Sequence, residues 1–163
     1  MQKLKGISPC LWFDGEAEAA ARFYVGIFPN SSITRISYYG EEGQDIHGHK
    51  PGTVLTVAFE LAGNTFTALN GGPNFKFNEA ISFQIECETQ AEIDYYTEKL
   101  SADPKALVCG WLKDKFGVSW QAVPTILPQM LCDADRRKSE RVMRALLAMK
   151  KLDIAALKAA YDG

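Results

Sequence analysis

The segment CGWLKDKFGVSWQ, residues 109–121, decides how the second half of this chain folds. Asp114 to Gly117 has the polar, glycine-ended composition of a tight turn. The flanking residues, Lys105 to Leu112 and Val118 to Val123, are rich in β-branched, aromatic and aliphatic side chains. The sequence therefore predicts two strands joined by the turn.

Upstream of this hairpin, the sequence predicts a strand followed by a helix. From Ala80 onward, apolar and polar side chains alternate, which is typical of a strand with two different faces. The apolar members are Ile81, Phe83, Ile85 and Cys87, and the polar members are Ser82, Gln84 and Glu86. Thr89 and Glu92 have the spacing of a capping box, which predicts a helix with Ile93, Tyr96 and Leu100 on one side.

The first half of the chain shows the same order of elements. A strand is predicted from Ile7 to Phe13, and Asp14-Gly15 supplies a turn and a helix cap before a helix that Pro29 ends. Further strands are predicted at Ser31 to Tyr39, through Leu55, Val57, Phe59 and Leu61, and at Thr65 to Asn70 after a Gly63-Asn64 hairpin turn. The pattern predicts an α+β fold of two βαβββ-like modules that form a curved mixed sheet.

After Pro124 the pattern becomes helical. Asp133 or Asp135 can cap one helix, and Asp153 can cap a second one. We therefore predict a paired βαβββ domain over residues 1–124 and a C-terminal helical extension over residues 125–163. The extension is expected to pack on the domain or on a dimer partner.

Composition limits the classes of function. The chain has 163 residues, of which 47% are hydrophobic, enough for a substantial core. A net charge of −2 gives no electrostatic reason to expect nucleic acid or a membrane as partner. The sequence shows neither a signal peptide nor an apolar run of about 20 residues, so a cytoplasmic location is expected.

The four cysteines are predicted to be free thiols. Cys10, Cys87, Cys109 and Cys132 lie at long and unequal spacings, without the pairs that zinc sites or disulfide frameworks use. Cys87 ends an apolar alternation and is expected to pack as a small hydrophobic side chain. Chemical roles for Cys10 and Cys109 stay open.

Three segments identify a resemblance: EAISF (residues 79–83), ALNGGP (68–73) and above all CGWLKDKFGVSWQ (109–121). They closely resemble PhnB-like proteins, a family described as 3-demethylubiquinone-9 3-methyltransferases. That family is part of the glyoxalase, bleomycin-resistance and extradiol-dioxygenase superfamily, also called the vicinal oxygen chelate superfamily. The resemblance covers nearly the whole chain and implies the fold predicted above.

The resemblance also implies four positions for metal ligands, because superfamily enzymes place His, Glu or Gln on four strands that face the concave side of the sheet. In this sequence those positions fall at Ser8, near Asn70, at Ala80 and at Gln121. Such residues supply no imidazole or carboxylate, so we expect no metal and no other cofactor. His47 and His49 are interpreted as part of a polar surface loop.

The predicted site is therefore a concave pocket that takes a small organic ligand without a metal. Its expected lining is Cys10, Trp12, Asn70, Ser82, Gln84, Trp111, Trp120 and Gln121. Aromatic faces would hold a planar or apolar body, and the polar groups would orient it. Trp111 and Trp120 could equally be core residues.

Three functions stay open at this stage. Binding or sequestration is favoured, because the predicted lining contains no Asp, Glu or His, and no catalytic residue can be named. The alternative is an enzyme that acts on a small molecule, including the methyltransferase of the family description. No S-adenosylmethionine motif is visible, however, since Gly71-Gly72-Pro73 is predicted to be a turn rather than a helix start. An interaction module is the third possibility. The resemblance also implies a homodimer, in which exchange of modules between chains is left open.

Overall fold

The computed structural model describes residues 6–163. The chain divides into two compact units, residues 1–76 and 77–163. Each unit contains one mixed sheet with helices, so the predicted α+β class is confirmed. The division between compact units comes after Lys76, and the second unit includes the C-terminal helices.

The first unit has the order strand, helix, three strands, with one helical turn inserted. Its elements are β1 (Cys10–Phe13), α1 (Ala17–Val25), β2 (Ser32–Tyr38), α2 (Gln44–His47), β3 (Val54–Leu61) and β4 (Asn64–Asn70). The sheet order is β1-β4-β3-β2, in which β1 runs parallel to β4 and the other pairs are antiparallel. The predicted strands are confirmed, although β1 begins at Cys10 rather than at Ile7.

One face of this sheet is covered by α1. Leu11 and Phe13 on β1 are buried, as are Val57 and Phe59 on β3. Tyr24 of α1 stacks on Phe59 with ring centroids 6.2 Å apart. The alternation that sequence reasoning used to assign the faces of β1 and β3 is therefore confirmed.

The N-terminus of α1 is capped from a distant strand, which corrects the prediction of a local cap at Asp14-Gly15. The N-cap residue is Glu16, and it makes no capping bond with its side chain. Instead, the Ala17 N–H donates to the Asn70 side-chain oxygen at 2.9 Å. The Asn70 side-chain nitrogen donates in turn to the Val54 carbonyl at 3.0 Å. The buried Asn70 amide thus joins the N-terminus of α1 to the first residue of β3 and the last residue of β4.

The hairpin between β3 and β4 is displaced by one residue from the predicted Gly63-Asn64. Leu61 pairs directly with Asn64, so the two turn residues are Ala62 and Gly63. Both have positive φ, 47° and 82°, as a two-residue turn with the twist of the strands requires. Alanine rarely adopts this conformation, which is why the sequence favoured the next pair.

The second unit contains a shorter sheet and all the remaining helices. Its elements are β5 (Phe83–Cys87), α3 (Gln90–Leu100), β6 (Trp111–Lys113), β7 (Ser119–Pro124), α4 (Leu127–Leu131), α5 (Arg136–Ala148) and α6 (Ile154–Asp162). The sheet order is β5-β7-β6, with β5 parallel to β7 and β6 antiparallel to it. The predicted capping box of α3, Thr89 with Glu92, is confirmed in both directions.

The predicted strand over Lys105 to Leu112 is mostly a loop, which is a correction. β6 begins at Trp111, because Cys109 and Gly110 adopt left-handed conformations with φ of 52° and 83°. Their N–H groups donate to the Met149 and Lys150 carbonyls at 2.9 and 2.8 Å. The backbone of this segment therefore pairs with the C-terminal region rather than continuing the sheet. Ile81, expected on the buried face of β5, lies before the strand and is 74% exposed.

The turn between β6 and β7 is organised by one carboxylate. Asp114 is 4% exposed and accepts hydrogen bonds from both backbone and side chain. The donors are the N–H groups of Phe116 and Val118, at 2.9 and 3.0 Å, and Nε1 of Trp120, at 2.8 Å. The predicted turn at Asp114 to Gly117 is confirmed. Its geometry depends on a buried carboxylate that accepts hydrogen bonds from all three of these donors.

The helical tail packs on the second unit. Asp135 and Asp153 cap α5 and α6 as predicted, and Leu152 and Leu157 are buried. The Gln90 side chain of α3 donates to the Leu152 carbonyl at 3.0 Å. Within the described part of the chain, every helix is too short or too polar to cross a membrane.

We predict that Asp114→Asn lowers the free energy of unfolding by about 2–3 kcal/mol, the scale of lost hydrogen bonds to a buried charged group. The amide oxygen of asparagine can still accept from the turn N–H groups. Its NH₂ group, however, would face the Trp120 indole N–H, so two donors would meet and that hydrogen bond would be lost. Urea denaturation followed by circular dichroism measures the change. Asp103→Asn is the matched control, since Asp103 accepts one bond from the Lys105 N–H and should cost less than about 1 kcal/mol. Equal losses in the two variants would contradict this account.

Candidate functional site

Three of the predicted pocket residues lie in the first unit, and they divide between the two faces of its sheet. Cys10 and Trp12 lie on the face opposite α1, where they pair with Thr67 and Leu69 of β4. Asn70 lies on the face that α1 covers and is 5% exposed. Its side chain is engaged by the backbone of α1 and β3, so its evident role is in folding.

Trp12 is held rigidly by the loop that follows β4. Its Nε1 donates to the Gly72 carbonyl at 2.8 Å. Its ring lies so close to Gly71 that a Cβ at that position would overlap the indole. Phe75 packs edge-on at 4.9 Å between centroids and is 65% exposed. The Gly71-Gly72-Pro73 segment thus packs against the Trp12 ring, and it is not the start of a helix, as predicted.

The surroundings of Cys10 and Cys87 disfavour their thiolate forms. Desolvation raises the pKa of the Cys10 thiol, although the residue itself is exposed. Burial, with a smaller effect from the charge of Glu92, raises the pKa of Cys87 to about 11. Cys87 is fully buried, which confirms the prediction that it packs as a hydrophobic side chain. All four cysteines are free thiols.

The two histidines form a ring cluster with Tyr39. The Tyr39 ring lies 4.4 Å from both His47 and His49, and its hydroxyl donates to the Asn70 carbonyl at 2.6 Å. His47 Nδ1 accepts from the His49 N–H at 3.0 Å. The histidines thus lie in a surface loop, as predicted, and both rings pack against Tyr39. Among residues 6–163, no three His, Cys, Asp or Glu side chains come together as a metal site.

In the second unit, the predicted residues again divide between two faces. Trp120 is 2% exposed on the face covered by α3, where its ring packs 5.3 Å from Phe83. Trp111, Gln121 and Gln84 are cross-strand neighbours on the opposite face. Ser82 belongs to the same group, because the Gln121 side chain donates to its hydroxyl at 2.8 Å. Trp120 is therefore a core residue, whereas the other four share one face.

A cavity of about 620 Å³ opens beside Trp111. We call it the β6 groove. It is lined by Glu79, Lys105, Ala106, Val108, Cys109, Trp111, Leu112, Lys113, Ser119 and Leu147. Of the predicted pocket residues, Trp111 alone is in this lining, and Cys109 is the thiol whose role the sequence left open. The groove combines apolar walls with a few polar groups, as small-molecule sites do.

The polar groups of the β6 groove lie on adjacent strands. Lys113 of β6 pairs directly with Ser119 of β7. Lys113 also forms an ion pair with Glu79, and this hydrogen bond lowers the pKa of the Glu79 carboxyl. Ser119 is 2% exposed, and among the described residues its hydroxyl has no hydrogen-bond partner. A buried hydroxyl without a partner is uncommon, so it marks a place where a ligand atom could bind.

Sequence reasoning missed most of the groove. Lys113 and Ser119 flank the turn of the quoted segment, and alternation alone could have placed both on the face of Trp111. Val108 and Leu147 could not have been found in this way. Val108 depends on the left-handed bend at Cys109, and Leu147 depends on how α5 packs.

The residues at the expected metal positions do not fit a divalent ion. These positions are Ser8, near Asn70, Ala80 and Gln121. Hydroxyl, amide and methyl side chains at these positions offer no imidazole or carboxylate.

Comparison with known proteins gives two sets of matches. Residues 5–123 match the model of the family described as 3-demethylubiquinone-9 3-methyltransferase. Among solved structures, the chain is similar to a putative 3-demethylubiquinone-9 3-methyltransferase, PhnB protein, from Bacillus cereus. The two share 37% identity over 74% of this chain and 100% of that chain, with a TM-score of 0.61.

More distant solved structures also match. The protein PA1353 from Pseudomonas aeruginosa shares the fold, with 17% identity over 72% of this chain and 96% of its own and a TM-score of 0.53. A lactoylglutathione lyase from Agrobacterium tumefaciens matches at 15% identity over 77% of this chain and 98% of its own, with a TM-score of 0.39. Among curated proteins, no match was found.

We predict that Asn70→Ala lowers the free energy of unfolding by about 2 kcal/mol without any ligand present, because two buried backbone groups lose their partner. Thermal or urea unfolding of the purified variant measures this. Asn64→Ala, at the exposed start of the same strand, is the control and should change the value by less than about 0.5 kcal/mol. A fully stable Asn70→Ala protein would show that the amide does not cap α1 in solution.

Proposed function

This chain belongs to the 3-demethylubiquinone-9 3-methyltransferase (PhnB-like) family of the vicinal oxygen chelate superfamily, and on that premise we propose that it binds a small organic molecule in the β6 groove. The observation that carries the proposal is the cavity of about 620 Å³ beside Trp111. Ligand pockets of about 300–1,000 Å³ are typical for small molecules.

The walls of the groove suit a planar or apolar body. Trp111 is half-buried, so part of its ring remains available for contact. Val108 and Leu147 are 52% and 67% exposed, so their side chains offer apolar surface that a ligand could cover. An aromatic ligand would bury these surfaces and stack on the indole.

We further propose that this binding needs no metal. The proposal is supported by the side chains at the expected ligand positions, Ser8, near Asn70, Ala80 and Gln121, which lack the imidazole and carboxylate groups that hold zinc, nickel or manganese. Any chemistry would then depend on side chains of the groove itself.

Methyl transfer is the second candidate, and the observation in its favour is the description of the matching family. The similar Bacillus cereus protein is described by the same putative activity. In this chain, binding is favoured over catalysis, because the one carboxylate in the lining, Glu79, forms an ion pair with Lys113.

The groove can be tested with N-phenyl-1-naphthylamine, a neutral aromatic probe whose fluorescence rises in apolar sites. We predict saturable binding to the wild-type chain and a loss of affinity of about tenfold in Trp111→Ala, since an aromatic contact is worth roughly 1.4 kcal/mol. Tyr95→Ala is the matched control, because Tyr95 is an exposed aromatic residue on α3 outside the groove.

Treatment with EDTA should leave the probe affinity unchanged, which tests metal independence in the same assay. Circular dichroism must first show that Trp111→Ala is folded. Absence of probe binding to the wild type, or equal affinity in both tryptophan and tyrosine variants, would contradict the assignment of the groove. Loss of binding with EDTA would contradict the metal-free proposal.

We also propose a homodimer, as the family resemblance implies. Met143 and Leu147 leave apolar surface exposed on α5, and a second chain could cover it. Size-exclusion chromatography with light scattering should give twice the chain mass of 18.0 kDa. A clean monomer at micromolar concentration would remove this proposal and leave the groove assignment intact.

A further inference from the structure

We infer that the β6 groove selects molecules that carry one anionic oxygen group on an aromatic or apolar body, and that Ser119 and Lys113 receive the anion. This inference rests on the proposed binding function and adds the chemical class of the ligand. Carboxylates, sulfonates and phenolates share this chemistry. Three features support it: an unpartnered donor, a lysine beside that donor and the charge of the lining.

The Ser119 hydroxyl is the first element. The residue Ser119 lies in the lining of the groove, and its hydroxyl is buried and has no hydrogen-bond partner within residues 6–163. Burial of an unsatisfied hydroxyl is unfavourable, so the position gains from a ligand oxygen that accepts a hydrogen bond from it. An anionic oxygen makes the stronger bond, because charge-assisted hydrogen bonds exceed neutral ones.

Lys113 supplies the positive charge. It is the direct cross-strand neighbour of Ser119, so both side chains point to the same side of the sheet. The lining as a whole contains two lysines, Lys105 and Lys113, and one carboxylate, Glu79. The groove therefore carries an excess of positive charge, although the chain as a whole has a net charge of −2.

Glu79 forms an ion pair with Lys113, but a ligand anion can displace it. Its side chain is 62% exposed, against 27% for Lys113. A solvent-exposed ion pair is weak, since water solvates both charges in the open state. A ligand anion that bonds to both Ser119 and Lys113 would compete successfully with one mobile carboxylate. Glu79 is then a competitor whose removal should strengthen the binding of anions.

A pair of fluorescent probes tests the inference. N-Phenyl-1-naphthylamine and 8-anilinonaphthalene-1-sulfonate share the anilinonaphthalene body and differ in one sulfonate. We expect the anionic probe to bind the folded wild-type chain about tenfold more tightly than the neutral one, the scale of one charge-assisted hydrogen bond. Competition between the two probes shows whether they share the site.

Four variants assign the preference to residues. Ser119→Ala and Lys113→Met should each lower the affinity for the sulfonate probe by about tenfold and leave the neutral probe unchanged. Glu79→Gln should raise the affinity for the sulfonate probe by about threefold, because a competing negative charge is removed. Lys115→Met is the control. It removes the same charge two residues further along the chain, in the turn and outside the lining, and should change neither affinity.

Stability provides an independent readout. Ser119→Ala should unfold at the same or a higher urea concentration than the wild type, since it deletes a buried hydroxyl that has no partner among the described residues. A weaker response to the sulfonate probe cannot then be ascribed to unfolding.

The possible outcomes separate the two proposals. Equal affinity of the wild type for both probes would overturn the inference and leave the groove assignment standing. A preference for the sulfonate that persists in Ser119→Ala and Lys113→Met would also overturn the inference. Failure of both probes to bind would overturn the proposed function and the inference with it.

Discussion

The second unit depends on the carboxylate of Asp114. This buried group accepts hydrogen bonds from two backbone N–H groups of the turn and from the indole of Trp120. It therefore fixes both the turn and the rotamer of a core side chain. The register between β6 and β7 follows from that turn, and the register places Lys113 opposite Ser119 and Trp111 opposite Gln121. The strand register beside the groove thus follows from the hydrogen bonds that the buried Asp114 carboxylate accepts. An apolar residue at position 114 would leave the turn N–H groups without an acceptor.

The C-terminal region completes the groove that the turn begins. Cys109 and Gly110 donate backbone hydrogen bonds to Met149 and Lys150, and this pairing stops β6 short. Position 110 requires glycine for two reasons. Its backbone is left-handed, and a Cβ there would lie 2.9 Å from the Leu152 side chain. Leu147 of α5 then forms part of the lining. The match to the family model ends at residue 123, and Leu147 lies beyond it, so one wall of the groove comes from outside the matched residues.

Much of the fold could be predicted from local sequence, because its signals are local. Alternation assigned the buried faces of β1 and β3, and the capping box at Thr89 and Glu92 marked the start of α3. The signals that failed are those that depend on distant contacts. Asn70 was expected in the pocket, but it caps a helix 53 positions earlier in the chain. Trp120 follows the aromatic pattern of a pocket, yet the bond to Asp114 holds it in the core. Alternation could have placed Ser119 on the face of Trp111, but it could not show that its hydroxyl has no partner among the described residues, because that is a property of packing.

The first helix of each module is capped in a different way, and the groove lies in the module whose helix is capped locally. In the first module, the last residue of the parallel strand β4 is Asn70, whose side chain must cap α1 because Glu16 does not. Its counterpart at the end of β7 is Pro124, which can neither cap a helix with its side chain nor donate from its backbone. There the helix is capped locally by Thr89 and Glu92, so the sheet has no need to supply a polar group. Polar side chains on β6 and β7 are therefore not needed to cap the helix. Ser119, buried and unpartnered within the described chain and lying beside Lys113, is where that freedom would be used for recognition.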